Sequence, residues 1–411
     1  MYFGWVVVIV GAFIMMLAMG TTVGVFGLYV LPVSQEFGLS RADVNTGFAF
    51  MNIGGAFIAP LVGRAADTFS IRAVMAAGAF CYAIASITIG LSHNMWLSAA
   101  AIGLVLPVTI GGMTSFGVMA MVTRWFEAQR ARALALATIG MSLGSVVMAP
   151  IVGWMLETVG WRHMLVGQGV VLGSLFLVLI FILRDRPGAN DVEPRPAGSD
   201  ETSPSQSIAA ADHKPLSTRE ILGRPKFYLI ALTMAFGMST MQAVTITLIP
   251  MVQEIGVTVT VAAGIISIMG IAGIVGRLFI AAIGDRVNKP ITLAVSLILF
   301  GVLVAFLPVP GSYWPVAVIA AVIGFIGGAV LPLCLAILAE VVGPSSFASA
   351  NGLASLMMAL FGAVAIRVSG DLFDATGTYH AVFMVLGGAF VVGAVLMLIY
   401  GRMSRQLPVA V

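Results

Sequence analysis

An arginine lies in the middle of one of the apolar segments of this sequence. Arg277 stands within "GIVGRLFIAAIG", eight residues before Asp285. A charged side chain inside an apolar helix is costly and marks a functional site by default. The guanidinium group stays charged in proteins and offers a planar set of donors that matches a carboxylate. The sequence therefore predicts a carboxylate-binding site at Arg277. The other interpretation is a structural contact with a helix carbonyl or another side chain.

A second basic side chain, Arg367, also lies within an apolar segment. It comes four residues before Asp371 and seven before Asp374. Residues at i and i+4 are neighbours on a helix surface, and a long basic side chain near a helix end can extend to the membrane surface. We expect Arg367 to pair with Asp371 or to line the outer vestibule, and it is the secondary candidate for binding a substrate charge.

The composition places most of the chain in lipid. Of the 411 residues, 60% are hydrophobic and 9% are charged, whereas soluble domains carry about 25% charged residues. The net charge of +3 gives no argument for a nucleic-acid partner. The apolar segments bring no His, Asp, Glu or Cys together, so the sequence predicts neither an enzyme nor a metal or cofactor site.

Polar residues divide the chain into twelve apolar segments, most of them near or above the roughly 20 residues that a membrane-spanning helix needs. Residues 184–226 are rich in Pro, Ser, Ala and charge, which predicts a flexible linker. The expected organisation is an all-α integral membrane protein with a six-helix bundle over residues 1–183, the linker, and a second six-helix bundle over residues 227–411. The segments cover approximately residues 5–33, 42–63, 73–92, 95–122, 133–156, 163–183, 227–252, 259–283, 290–308, 313–339, 347–372 and 379–401.

Lysine and arginine are distributed unevenly between the two faces of this arrangement. If the N-terminus is cytoplasmic, sixteen of the twenty fall in cytoplasmic loops or tails, and only Arg41 and Arg162 fall outside. Cytoplasmic loops of membrane proteins carry such an excess. Both termini are therefore predicted to be cytoplasmic.

The two halves of the chain repeat short stretches of sequence. "LPVSQEFGLS" (31–40) aligns with "IPMVQEIGVT" (249–258), and "LETVGWRH" (156–163) aligns with "FDATGTYH" (373–380). Six spans and a linker return the chain to the same side, so the halves have the same orientation. Parallel repeats of this kind form transporters whose substrate site lies between the halves.

Two loops resemble a family signature. "GRAADTFSIR" (63–72) and "AAIGDRVNK" (281–289) are similar to the loop motifs of the major facilitator superfamily. The resemblance implies twelve transmembrane helices in two pseudo-symmetric six-helix bundles. It also implies gating contacts on the cytoplasmic side, although the same residues could serve only to anchor the topology. The matching residues are Asp67, Arg72, Asp285 and Arg286.

Residues 124–144, 270–289 and 349–379 resemble the monocarboxylate porter and oxalate:formate antiporter group of that superfamily. The resemblance implies that Arg277 binds the substrate carboxylate. By the same analogy, further pocket candidates come from spans that face the central axis, and each is equally consistent with packing. These candidates are Tyr29, Phe116, Ser142, Gln242 and Phe325.

The expected function is secondary active transport of small monocarboxylates such as lactate or pyruvate. We expect proton coupling, alternating access, a monomer, and a bacterial-type inner membrane as the location. Relatives with coupled uptake often place an aspartate where this chain has Gly273, so the proton-carrying residue stays open. The oxalate:formate branch keeps a second basic residue where this chain has Met358, and its loss favours a monoanion. The alternatives are organic-anion exchange of the oxalate:formate type and efflux of a drug or organic anion.

Overall fold

A computed structural model describes residues 2–114, 117–126, 129–185, 187, 191, 218–283, 286–308, 312–343 and 346–405. Within these ranges the side chains of six residues are not described: Pro60, Asp67, Arg130, Ala131, Ala348 and Arg405. The site candidates Phe116 and Asp285, and most of the expected linker, lie outside the described residues.

The described apolar segments are helical apart from short interruptions in two of them. In the first half the helices are α1 Phe3–Gly20, α2 Phe26–Phe37, α3 Arg41–Thr68, α4 Ile71–Leu91, α5 Met95–Ala100, α6 Leu106–Met113, α7 Val118–Trp125, α8 Arg130–Val159 and α9 Trp161–Ile182. In the second half they are α10 Thr218–Leu222, α11 Pro225–Gln253, α12 Val259–Ile283, α13 Lys289–Phe306, α14 Tyr313–Val342, α15 Phe347–Thr376 and α16 Tyr379–Arg405.

Most of these helices can cross a membrane. Among the described residues, eleven helical stretches are long and apolar enough to do so. Helix α3 is less apolar but has 28 residues, or about 42 Å at 1.5 Å per residue, and it fills the second of the twelve expected places. We call the side of the molecule where α1 and α11 begin and where α9 and α16 end the linker side. The opposite side is the far side.

Two spans that the sequence presents as continuous are interrupted in the structure. The first breaks at residues 21–25, between α1 and α2. The fourth contains a π-helical turn, Ala101–Val105, and a second break between α6 and α7. Polar groups at the first break are satisfied by neighbours, since Tyr82 hydrogen-bonds the Thr21 hydroxyl and the Gln168 amide donates to the Thr21 carbonyl at 3.2 Å. Interrupted membrane helices are tolerated where protein groups satisfy the freed backbone in this way.

The internal repeat is visible in the backbone. Five glycines in the described residues have a positive φ, and four of them form two pairs that match across the halves. Gly38 corresponds to Gly256 and Gly160 to Gly377, as the two sequence alignments require. Only glycine adopts this conformation without a steric cost. The repeated stretches are therefore matching helix ends on the far side.

The two halves pack through two main helix pairs. Helix α3 lies along α15, and α8 lies along α12, with a smaller contact between α2 and α11. The α8–α12 contact runs from the far side, where Gly153 approaches Ala263, to the region where Gly270 approaches Val146. The interface between the halves therefore has two flanks. Each flank is a pair of helices, one from each half, and the two pairs are in pseudo-symmetric positions.

A short helix comes before α11 in the chain. Residues 218–222, inside the expected linker, form the short helix α10, and Ile221 is fully buried in the core of the second half. Two adjacent apolar residues, Ile221 and Leu222, give no periodicity from which this helix could be predicted.

Candidate functional site

Arg277 and Ser142 lie on opposite sides of the interface between the halves. Arg277 is in α12 and Ser142 is in α8, and the guanidinium Nη1 donates a hydrogen bond to the Ser142 hydroxyl. Ile283 ends α12 six residues later, which puts Arg277 about 9 Å along the helix from its linker-side end. The structure thus brings together two of the residues that the sequence nominated for the substrate site.

Close packing against α14 fixes the backbone at Arg277. A side chain at Gly276 would place its Cβ 1.9 Å from the carbonyl oxygen of Phe325, and one at Gly328 would place it 2.0 Å from the carbonyl oxygen of Gly273. Neither position can hold a larger residue unless the helices move apart. Small residues let membrane helices approach in this way, and here the approach sets the position from which the guanidinium reaches α8.

The guanidinium of Arg277 has unused donors. Among the described residues, none of the ion pairs includes Arg277, and Ser142 is its one side-chain hydrogen-bond partner. The side chain is exposed. A guanidinium carries five N–H donors, so four are open to water or to a ligand. An exposed cation with open donors, and with no carboxylate partner among the described residues, has the chemistry that binding of an anion requires.

The other nominated pocket residues are more dispersed. The Phe325 ring stacks on Phe279 at 5.6 Å between ring centroids, and Phe279 lies about 200° around α12 from Arg277. Gln242 lies at the contact of α11 with α15, where its Oε1 is 3.2 Å from the Cβ position of Gly362. Tyr29 lines a cavity inside the first half whose lining does not include Arg277.

On the far side, two acidic residues bind the first turn of a helix in the opposite half. Glu157, near the end of α8, accepts hydrogen bonds from the Thr260 amide at 2.8 Å and the Thr260 hydroxyl at 2.9 Å. Asp374, near the end of α15, accepts from the amides of Arg41 at 3.3 Å and Ala42 at 3.1 Å. Carboxylates are favourable at helix N-termini, where backbone N–H groups are free and the helix dipole is positive. These contacts hold the far-side ends of the halves together.

Arg41 adds a third contact across the far side. Its guanidinium pairs with Glu254 at 3.1 Å and stacks over the Phe373 ring at 3.7 Å from the centroid. Both partners belong to the second half. One of the two basic residues assigned to the outside by the charge count is therefore part of the closure between the halves.

Arg367 belongs to the same closure. It pairs with Asp371 on its own helix at 3.0 Å and with Asp43 of α3 at 3.1 Å. It also donates to the Thr46 hydroxyl at 2.7 Å. With two carboxylates bound to it, Arg367 is a structural contact between the halves in this conformation, and its charge is already neutralised.

Two of the nominated gating residues, Arg72 and Arg286, are described together with their side chains, and both lie at the linker side. The Arg72 amide donates to the Asp185 carboxylate at 2.9 Å, and its guanidinium donates to the Phe181 carbonyl at 3.3 Å, so both partners lie in the first half. Arg286 is exposed and its amide bonds Ile283 of its own half. The remaining two nominations, Asp67 and Asp285, concern side chains outside the described part of the chain.

Access to Arg277 follows from where the halves touch. Among the described residues, hydrogen bonds and ion pairs between the halves occur from the far side inward as far as Arg277 and Ser142. Within those same ranges, the linker-side polar contacts stay inside one half, such as Lys289 with Glu340 at 2.6 Å. The far side is closed by these contacts, and the contact of Arg277 with Ser142 is the described one that lies nearest the linker side.

The sequence reasoning did not assign the far-side contacts. Glu157 and Asp374 were aligned by the repeat, but alignment within a chain does not say which helix of the other half each acid meets. A search for acids just after the end of a predicted span, three residues before a glycine, would have found them.

The sequence matches a described family over most of its length. The family model for the Major Facilitator Superfamily matches residues 8–310 and 236–409. Similar curated proteins include monocarboxylate transporter 13 of Bos taurus, which is 28% identical over 402 residues, covering 95% of this chain and 88% of that protein. Monocarboxylate transporter 12 of Xenopus laevis is 27% identical over 326 residues, covering 74% and 71%.

Solved structures show the same fold at low identity. A bacterial homologue of the human lysosomal transporter Spinster, inward-facing and unoccupied, has a TM-score of 0.71 at 16% identity and covers 97% of this chain and 96% of its own. A D-xylose–proton symporter has a TM-score of 0.73 at 15% identity and covers 97% of both chains. At these identities the likeness concerns the fold alone.

Proposed function

The chain belongs to the Major Facilitator Superfamily and is a transporter, and from that premise we propose that it carries small monocarboxylates such as lactate or pyruvate. The substrate carboxylate binds the Arg277 guanidinium between the halves. The observation that carries this proposal is the exposed guanidinium with a single hydroxyl partner, Ser142, and no carboxylate among its described contacts. The names of the curated relatives support the same substrate class.

A monoanion suits the charges near this site better than a dianion. The second basic side chain within a span, Arg367, already binds Asp43 and Asp371. A second carboxylate on the substrate would therefore be left without a cationic partner in this conformation, and an unpaired charge in a poorly hydrated site is costly. This charge distribution argues against the oxalate:formate type of exchange.

The transport cycle we propose begins on the linker side. The anion replaces part of the water around the Arg277 guanidinium. The guanidinium then donates to the anion as well as to Ser142. The far side then opens by breaking the contacts of Glu157 and Asp374 with the opposite half, while the linker-side ends approach each other. Because the halves are rigid helical bundles joined by few polar contacts, such a change is a rocking motion of one bundle against the other.

Proton coupling completes the proposal. A carboxylate that crosses with one proton moves no net charge, so the membrane potential does not oppose it. Gly273 occupies the position one turn before Arg277, and its Cβ would lie 3.3 Å from the Gly324 carbonyl. No acid is available there, so in this proposal the substrate carboxylate is itself part of the proton's route.

We further propose that the linker side is cytoplasmic, in a bacterial-type inner membrane, and that one chain is sufficient for transport. The excess of Lys and Arg in the loops of that side supports this orientation. With the far side closed, the structure would then be the inward-facing state.

Drug efflux, the other alternative, receives no support from the glycines of α8, Gly140 and Gly144. Side chains at Gly140 and Gly144 would place Cβ 2.0 Å from the Ala12 carbonyl and 2.6 Å from the Met16 carbonyl. These glycines are accounted for by the close packing of α8 on α1, so the pattern carries no information on substrate.

A substrate panel tests this proposal. Purified protein in liposomes is supplied with labelled lactate, pyruvate, oxalate or xylose, each with and without a pH gradient that is acidic outside. We expect uptake of lactate or pyruvate, accelerated by the gradient and unaffected by unlabelled oxalate. Uptake of xylose or of oxalate, with no uptake of the monocarboxylates, would overturn it.

A further inference from the structure

A cavity that is separate from the Arg277 site lies mainly within the first half and is also lined by Arg367 of the second half. It has a volume of about 390 Å³ and lies in the far-side part of the bundle, between α2, α3, α4, the fourth span and α9. This volume is within the range of roughly 300 to 1,000 Å³ that is usual for small-molecule sites. Most of the lining is apolar, with aromatic rings from Phe26, Phe37, Phe50, Trp96 and Trp161.

Two hydroxyl groups in the cavity wall lack hydrogen-bond partners. The oxygens of Tyr29 and Ser98 are both buried and both belong to lining residues, and neither has a partner. Buried polar atoms in native proteins are nearly always hydrogen-bonded, so an unpaired one requires an explanation. The neighbouring polar side chains already have partners. The Thr21 hydroxyl donates to the Leu17 carbonyl, and the Gln168 amide donates to the Thr21 carbonyl. A ligand with a hydroxyl or carbonyl group would supply a partner for such an open position.

The charges at the cavity do not favour an anion. Asp43 and Arg367 are the charged residues among its described lining, and they pair with each other at 3.1 Å. Arg367 also pairs with Asp371 at 3.0 Å, so the three side chains together carry one negative charge. A carboxylate would meet this excess, whereas a neutral head group would not. The cavity is therefore chemically unlike the Arg277 site.

The cavity communicates with a groove on the surface of the first half. Phe50, Trp96 and Ala99 line both, and the groove continues between α3 and the fourth span past Phe57 and Leu104. Trp96 is 70% exposed and Phe57 is 74% exposed. Because the halves are closed against each other on the far side, this exposed aromatic surface faces the bilayer. Tryptophan is enriched at membrane interfaces, where an apolar body meets a polar surface.

We propose that this cavity is a second binding site, which takes a neutral amphiphile from the far-side leaflet of the membrane. The ligand enters through the groove between α3 and the fourth span, its apolar chain lies among the aromatic rings, and its hydroxyl or carbonyl head bonds Tyr29 and Ser98. This site is independent of the carboxylate site and does not rest on the proposed function.

The probe for this site is ω-bromoundecanol, whose bromine quenches tryptophan fluorescence. Full-length protein in nanodiscs is titrated with it, because two of the six tryptophans, Trp96 and Trp161, line the cavity. We expect a saturable component of quenching above the linear one that comes from partition into lipid. The matched anionic probe, ω-bromoundecanoate, is expected to show only the linear component.

Two variants locate the binding. Gly47 lines the cavity, and a Cβ there would meet only Ile102 Cδ1, at 3.7 Å, so Gly47→Leu fills the space and should remove the saturable component. Gly388 has no atom within 4 Å of its Cβ position, and Gly388→Leu is the control that should keep it. Ser98→Ala breaks no existing hydrogen bond and should weaken binding about fivefold, as expected for one lost hydrogen bond.

The inference is overturned if quenching by bromoundecanol never saturates, if the bromoundecanoate saturates equally well, or if Gly47→Leu and Gly388→Leu behave alike. Should Gly47→Leu fail to fold, Ser98→Ala decides the matter, because unchanged affinity in that variant would also contradict the proposal. Arg277→Ala should retain saturable quenching, which separates this site from the carboxylate site even if the proposed transport function is wrong.

Discussion

Glu157 and Asp374 make the same contact in opposite directions across the molecule. Each lies two residues before the end of its helix, and each accepts hydrogen bonds from the first turn of a helix in the other half. The repeat alignment matches these two residues with each other. The duplicated sequence therefore builds the same contact between the halves twice on the far side, once on each flank of the central axis.

Removing the contacts of either Glu157 or Asp374 should make the far side open more readily. In a background of Cys81→Ser and Cys334→Ala, Asn45→Cys places a thiol at a buried position on the far side of the interface. Glu157→Gln and Asp374→Asn should each speed labelling of that thiol by an impermeant maleimide, by about fivefold. Since the two contacts share no partner, their effects should multiply in the double variant.

The control for this measurement is Glu340→Gln. Glu340 pairs with Lys289 within the second half on the linker side, so its loss should leave far-side labelling unchanged. A labelling rate that is insensitive to Glu157→Gln and Asp374→Asn alike would show that these contacts do not hold the far side closed.

Arg367 should act on conformation and leave substrate affinity alone. Arg367→Met removes the pairs with Asp43 and Asp371 and should speed labelling of the same far-side thiol, as the Glu157 variant does. Substrate affinity, measured by equilibrium binding of labelled lactate in detergent, should change less than about twofold, because no open donor of Arg367 is lost. An affinity loss as large as that of an Arg277 variant would make Arg367 a substrate ligand.

The packing of α14 on α12 should be required for both stability and transport. Gly328→Ala puts a Cβ 2.0 Å from the Gly273 carbonyl oxygen and 3.1 Å from the Arg277 amide nitrogen. Overpacking of this kind costs about 1–3 kcal/mol, and it displaces the backbone that carries the guanidinium. We expect a lower melting temperature in detergent and reduced lactate uptake.

The matched substitution is Gly388→Ala, where a Cβ meets nothing within 4 Å, and it should leave melting and uptake unchanged. Equal behaviour of the two alanine variants would mean that α12 and α14 can separate freely, and that their close approach does not position Arg277.

Ser142 should contribute less to binding than the arginine it contacts. Ser142→Ala removes the acceptor that orients the guanidinium but leaves the charge, so the KM for lactate should rise by about fivefold with little change in the maximal rate. Ser142→Thr keeps the hydroxyl and should stay near the original KM. If Ser142→Ala were as damaging as loss of the arginine, the hydroxyl would have a larger role than orienting Arg277.

Much of the fold could be predicted from the sequence because its causes are local. Apolar segments of sufficient length specify membrane helices, and the repeated glycines Gly38 and Gly256 specify matching turns with positive φ. The break at residues 21–25 could not be predicted, because Tyr82 and Gln168, which satisfy it, are distant in sequence.

Some residues of the candidate site could likewise be predicted from the sequence, and others could not. Arg277 stood out because a charge inside an apolar helix is anomalous by itself, and because the matching position in the first half is Ala59. The far-side acids did not stand out, since Glu157 and Asp374 resemble ordinary charged helix ends until the opposite half is in place. The direction of the Phe325 ring was decided by the packing of α14 on α12 within the second half, where the ring packs on Phe279.

The central claim is that the Arg277 guanidinium binds the substrate carboxylate, and equilibrium binding and uptake of labelled lactate by Arg277→Ala test it most directly. Arg402→Ala removes an exposed positive charge at the linker-side end of α16 and serves as the control. We predict that Arg277→Ala keeps the melting temperature and the saturable bromoundecanol quenching of the folded protein but loses lactate binding and uptake. We predict that Arg277→Lys recovers only part of both, and that Arg402→Ala keeps both. Lactate binding and uptake by Arg277→Ala at the level of Arg402→Ala would contradict the account.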